Sequence, residues 1–194
     1  MAKKILILQG HPDPAGGRLC HALADAYAEG ARGAGHEVKQ LSVASIDFPL
    51  LRTQSEFEHS PVPPALEQAK DALLAADHLV IIFPLWLGTM PALLKAFLEQ
   101  VMRPSVAFAY TDEGFPKKLL AGRSARIVVT MGMPALFYRF YFFAHGVRGL
   151  ERNILGFVGY GPVRETLLGM VSNASPAKVG KWLAQMRALG GKAR

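Results

Sequence analysis

The stretch HLVIIFPLWLGTMPALLKAFLEQV, His78 to Val101, reads as strand, loop and helix in one piece. HLVIIF is a short unbroken apolar run with branched residues, the pattern of a strand covered on both faces. Pro84 ends it, because proline lacks the amide that a ladder needs. Pro91 opens a helix, since the amide it lacks is one that the first turn leaves unpaired anyway. Between the two prolines, LWLGTM is too apolar for a loop washed by solvent. Trp86 is then either a plug in the core or the wall of a pocket for a planar ligand. Gly88 lets the backbone come close to a ring.

The same unit recurs along the chain. KKILILQG, residues 3–10, reads as a first strand, followed by a helix over 18–35 whose stripe is Leu19, Leu23, Ala26 and Tyr27. HEVKQLSV is a second strand, residues 45–64 a polar connection, and 64–77 a second helix opened by Pro64. After the stretch above come a strand over 124–132, a mostly helical segment over 136–159, a strand over 163–171 and a last helix over 176–191. Apolar strands alternating with amphipathic helices imply a parallel sheet with helices on both faces. Right-handed crossovers make a doubly wound five-stranded α/β fold the simplest closure. With no repeat and no linker-like stretch, the reading is a single domain over 1–194.

Composition narrows the function classes. The 194 residues are 51% hydrophobic and 19% charged, which excludes a disordered chain. One cysteine, Cys20, rules out an internal disulfide, so a cytoplasmic location is expected. No apolar run reaches the length of a membrane span. The net charge of +7 is uneven: residues 1–99 carry −3 and residues 100–194 carry +10. Such a balance suits anionic partners or a plain solvated face. The six histidines form no metal-ligand spacing, so no metal is expected. There is no nucleophile elbow for hydrolysis and no nucleic-acid-binding motif.

In open parallel sheets, ligands bind outside the carboxyl ends of the strands. The loop after strand one, GHPDPAGGRL, opens a helix, whose first amides and partial positive charge suit a phosphate. Gly16 and Gly17 allow close approach, and Arg18 supplies a charge. Neither dinucleotide fingerprint is present, and a plain turn is the alternative. The loop after strand four, TMGMPALFYRFYFFAHG, offers the backbone of Thr130, Met131 and Gly132. Tyr138 and His145 are seven apart, two turns on one face of a continuous helix. The aromatic run Phe137–Phe143 reads as core or subunit interface, since it lacks the length and basic face of a membrane-surface helix.

Taken together, these loops resemble the flavodoxin-like NAD(P)H:quinone oxidoreductases, the DT-diaphorase group with its bacterial relatives. The resemblance spans about residues 3–188. Its most specific piece is Trp-x4-Pro-x2-Leu-Lys, here Trp86, Pro91, Leu94 and Lys95, preceded by Pro84. It implies a flavin, FMN or FAD, and NAD(P)H as co-substrate, with hydride passing in ping-pong fashion to a quinone or similar acceptor. It implies that His11, Arg18 and Leu19 hold the phosphate. Pro84, Leu85, Trp86 and Leu87 would line the ring, partly through backbone amides, and Thr130, Met131 and Gly132 would bracket its other edge. Tyr138 and His145 would stabilise charge on the reduced flavin, with His145 able to exchange a proton. A homodimer is also implied, with the aromatic segment as a reasonable contact. The sequence departs from the family's pattern at Gly17, Glu99 and Met133, and by one extra residue between Tyr138 and His145. The alternative is a regulatory or electron-transfer flavoprotein, such as the ancillary subunit of a potassium efflux system, which alone would bring membrane association.

Overall fold

The computed structural model describes residues 1–111 and 114–194. Five parallel strands form one sheet in the order β2-β1-β3-β6-β7. They are β1 (Lys4–Gln9), β2 (Glu37–Ser42), β3 (His78–Pro84), β6 (Ser124–Thr130) and β7 (Val163–Leu168). The short strands β4 (Phe108–Ala109) and β5 (Lys117–Lys118) pair separately as an antiparallel hairpin. The sheet is that of the flavodoxin-like fold, and its order reverses between β1 and β3.

Alternation along the strands builds two cores. Leu6, Leu8, Leu79, Ile81, Ile127 and Val129 face one layer. Helices α3 (Glu67–Ala75) and α4 (Ala92–Val101) pack there through residues such as Leu73, Leu94 and Phe97. Ile5, Ile7, Val80, Ile82 and Val128 face the opposite layer, against α1 (Leu19–Gly33) and α8 (Pro176–Gly191). A wholly buried leucine, isoleucine or phenylalanine contributes about 1.5–3 kcal/mol, and the three central strands are lined with such residues on both faces. The helices α1 and α8 touch backbone to backbone. A methyl group added at Gly30 would lie 2.0 Å from the Arg187 carbonyl oxygen, and one at Gly190 2.1 Å from that of Tyr27.

Two expectations need correction, and one element carried no expectation. The connection 45–64 contains a helix of its own, α2 (Gln54–His59), closed at its start by a Thr53–Glu56 capping box. The hairpin β4–β5 lies in a segment with no readable period. The helical segment 136–159 is broken into α5 (Ala135–Phe140), α6 (His145–Arg148), a π-helical turn (Gly149–Leu155) and α7 (Gly156–Val158). The break is local: Phe143 and Ala144 both have positive φ, +52° and +49°. No described helix is long and apolar enough to cross a membrane.

Candidate functional site

The carboxyl ends of β1, β3 and β6 lie side by side, held together by backbone bonds. Gly10 donates to the Ile82 carbonyl at 2.7 Å, and Leu85 donates to that of Thr130 at 2.8 Å. The three loops read from the sequence therefore leave the sheet together at the switch point.

The loop after β1 is a cradle of amides. Gly16 and Gly17 sit at φ +76° and +70°, with open space where a side chain would be. Helix α1 then begins with no side-chain cap and no acid in its first turn. Among the described residues, the five consecutive N–H groups from Gly16 to Cys20 have no protein acceptor. Such a run of free donors at a helix start favours an anion. Arg18 stands over it, paired to Asp13 at 2.6 Å and largely exposed. That guanidinium, with the Ala15 amide, holds the Asp13 carboxyl below its usual range. The His11 Nδ1 accepts the Asp13 amide at 3.1 Å, which leaves the Nε2 hydrogen of the neutral ring free to donate. Burial, with His21 beside it, keeps His11 below the ordinary histidine value.

The loop after β3 is a tight two-residue hairpin. Trp86 and Thr89 exchange both backbone bonds, at 2.9 and 3.0 Å, across Leu87 and Gly88. Both central residues are left-handed, with φ of +47° and +79°. Glycine or asparagine is usual in such a turn, so Leu87 is held there at a cost of about 1–2 kcal/mol. Its side chain is completely exposed, and Trp86 is 50% exposed. The core reading of Trp86 is therefore ruled out. The indole lies edge-on to His11, ring centres 6.1 Å apart, and joins the amide cradle to a cleft of about 720 Å³ on its other side. That cleft is walled by Trp86, Leu87, Met90, His145, Gly146 and Asn153. A second cleft of about 570 Å³ adjoins it, sharing Lys95, Asn153 and Ile154.

The expected backbone donors are redistributed. The Leu85 amide is spent on β6 and the Trp86 amide inside the loop, and the Leu87 and Gly88 amides have no acceptor among the described residues. In the loop after β6, Met131 is buried and its amide donates to Leu168. Among the described residues the Gly132 and Met133 amides have no acceptor there instead. Thr130 faces inward, its Oγ1 3.3 Å from the Cys20 thiol, whose pKa burial pushes up to about 11.

Tyr138 and His145 do not share a helix face, because the chain turns back between them. Tyr138 is buried and lies beneath the tryptophan turn. Its hydroxyl donates to the Gly88 carbonyl at 2.9 Å and accepts the Val147 amide at 3.3 Å. Burial holds the phenol above its ordinary pKa. In this geometry Tyr138 positions the turn. His145 is exposed in the cleft wall. Gly146 makes this arrangement possible, since a methyl group there would stand 2.2 Å from the Gly88 carbonyl oxygen. Gly146 and Asn153 carried no sequence signal, whereas Lys95 already stood in the Trp-x4-Pro-x2-Leu-Lys motif. Among the described residues no group of three or more His, Cys, Asp or Glu side chains is placed to hold a metal.

A family model described as flavodoxin-like fold matches residues 3–189, and the chain belongs to this family, Flavodoxin_2, of NAD(P)H:quinone oxidoreductases and azoreductases. It is 41% identical over 86 residues to FMN-dependent NADH:quinone oxidoreductase 1 of Hahella chejuensis, a match covering 44% of this chain and 39% of that protein. The chain thus spans about two fifths of the length of the curated relative it matches. The structure of an NAD(P)H:quinone oxidoreductase from Methanothermobacter marburgensis superposes with a TM-score of 0.83 over the whole of both chains, at 23% identity. An FMN-dependent NADH-azoreductase from Bacillus anthracis, solved with FMN, covers 98% of each chain at a TM-score of 0.74 and 15% identity. These two likenesses speak to the fold.

Proposed function

We propose that this protein is a flavin-dependent NAD(P)H:quinone oxidoreductase of the cytoplasm, with FMN as its flavin and NADH as donor. The observation that carries the reading is the run of five free amides from Gly16 to Cys20, set beside a half-exposed tryptophan at the switch point. A phosphate needs donors and positive charge, and a planar ring needs an apolar wall. The two lie next to each other here. FMN over FAD, and NADH over NADPH, are supported by the names of the FMN-dependent NADH relatives.

The residues fit such a group. The amides of 16–20, the His11 Nε2–H and the Arg18 guanidinium would hold the phosphate, with Leu19 at the helix start. Arg18 would exchange Asp13 for the phosphate. Pro84, Leu85, Trp86 and Leu87 would wall the ring, and the free amides of Leu87, Gly88, Gly132 and Met133 would meet its polar edge. When bound, flavin supplies two-electron hydride chemistry between a nicotinamide and an acceptor. The protein's part is to hold the two reactants in turn in the cleft, to exclude water with Trp86, Leu87 and Met90, and to present His145 at its wall. Tyr138 keeps the Gly88 carbonyl and the turn in place. The protein would work as a homodimer, as the resemblance implies.

The test is anaerobic single-turnover kinetics on the FMN-loaded protein. The flavin should bleach on adding NADH, and its oxidised bands should return on adding benzoquinone. A bound flavin that stays oxidised in excess NADH and NADPH would overturn the reading and leave a carrier or regulatory flavoprotein.

A further inference from the structure

The amide cradle after β1 is short of positive charge. The loops that meet at the switch point, residues 10–18, 85–91 and 131–134, hold only two charged side chains, Asp13 and Arg18. These pair at 2.6 Å and cancel each other. A phosphate monoester brings about −1.5 to −2 charges at pH 7. A helix start offers the equivalent of only about +0.5. A phosphate in the cradle therefore lacks roughly one unit of compensating charge.

Two histidines stand where that charge can be supplied. The rings of His11 and His21 have centres 5.7 Å apart. His21 lies in the first turn of α1, directly after Cys20, the last of the five free amides. The two rings differ in what an added proton would meet. The His11 Nδ1 already accepts the Asp13 amide at 3.1 Å, so a proton there would set donor against donor. The His21 Nδ1 is buried and has no partner among the described residues, so protonating that ring breaks no bond at this nitrogen. The remaining charges nearby are engaged elsewhere. Asp25, one turn further along α1, accepts from Gln40 of β2 at 3.0 Å. Lys178 of α8 is turned to the Gly169 carbonyl and the Trp182 ring. The strand ends beside the cradle, Gln9 of β1 and Pro84 of β3, carry no charge.

We propose that His21 is the charge partner of the bound phosphate, taking up a proton from solvent as the phosphate enters, so that preference for phosphorylated over unphosphorylated flavin strengthens as pH falls from about 8 to 6.5. A dianion next to an imidazole favours its cation. The occupied site then holds the proton at a higher pH than the empty one, and affinity must rise as pH drops toward the empty-site value. The gain stops near pH 6, about where the phosphate takes a proton itself. His21 acts here through charge, beside the group that His11 and the amides hold. The inference rests on the flavin reading for what carries the phosphate, but itself needs only an anion in the cradle.

The test is isothermal titration calorimetry of the whole chain with FMN and with riboflavin, in buffers of different ionisation enthalpy, which counts protons taken up on binding. FMN should bind with net proton uptake at pH 7, and its affinity should rise about fivefold between pH 8 and 6.5. Riboflavin should show neither effect. H21Q should abolish the uptake and flatten the profile. H21K, with a permanent charge, should also be flat, but should bind FMN at pH 8 as tightly as the unaltered chain does at 6.5. This gain cannot come from misfolding, so H21K reports even if H21Q is unstable. FMN that binds without proton uptake, or uptake that persists in H21Q, overturns the proposal and leaves the flavin reading intact. If FMN does not bind, the flavin reading fails, and inorganic phosphate is titrated instead while the His21 ring signal is followed by NMR. A phosphate-induced rise in the pH at which His21 titrates upholds the proton coupling, and no change overturns it.

Discussion

At the scale of single residues, three side chains test the geometry. Tyr138 spans the turn and the start of α6 with one hydroxyl. Tyr138→Phe removes both bonds and keeps the buried ring, so it should cost about 1–2 kcal/mol of stability and weaken FMN binding. If the phenol instead acts on the reaction, kcat falls while stability and FMN affinity stay, and urea unfolding with a flavin titration separates the two. Gly146→Ala places a methyl group against the Gly88 carbonyl. It should destabilise by roughly 2 kcal/mol or more and collapse the cleft, visible as a lowered Tm. His78 is wholly buried at the start of β3, its Nδ1 on Ser124 and its Nε2 unpartnered. Burial pushes its pKa down to about 4. The unfolded chain takes up this proton near pH 6.5 and the folded chain only near 4. Stability should therefore fall as pH drops from about 6.5 to 4 and level off below, a loss on the order of 3 kcal/mol. In His78→Leu, the slope of the unfolding free energy against pH in that window should lose about one proton. An unchanged slope would assign the pH dependence to other groups.

At the scale of elements, the start of α1 carries the phosphate argument. Gly17→Ala forces a side chain into a left-handed conformation at a cost of about 1 kcal/mol and disturbs the run of amides. FMN affinity should fall about tenfold, while that of riboflavin, which lacks the phosphate, should hardly change. Equal losses for both would move the phosphate elsewhere. The strands and α1, α4 and α8 were legible because their apolar periods are long and their ends carry proline or glycine. The hairpin β4–β5 was not, because two-residue strands have no period. The break after α5 was not, because positive φ at Phe143 and Ala144 has no glycine to announce it. The turn at Leu87 hid for the same reason, although Gly88 beside it marked the spot. Which amides are free could not be read at all, since the partners of Leu85 and Met131 come from β6 and the end of β7.

At the scale of the whole molecule, strand order does what no motif could. The reversal between β1 and β3 brings His11, Trp86 and Thr130 to one edge from positions far apart in sequence. Part of the charge asymmetry becomes local, because five arginines of the second half, Arg126, Arg139, Arg148, Arg152 and Arg164, line one groove with Glu151 and Glu165. The proposed function stands or falls with the β1 and β3 loops holding a flavin together. The direct measurement is the visible absorption spectrum of the purified protein after incubation with FMN and removal of the excess, followed by chromatography of what heat releases. Flavin bands retained in about equimolar amount, with FMN released, are what the geometry predicts. A colourless protein that takes up neither FMN nor FAD would contradict it, and the free amides of Gly16 to Cys20 would then serve some other anion.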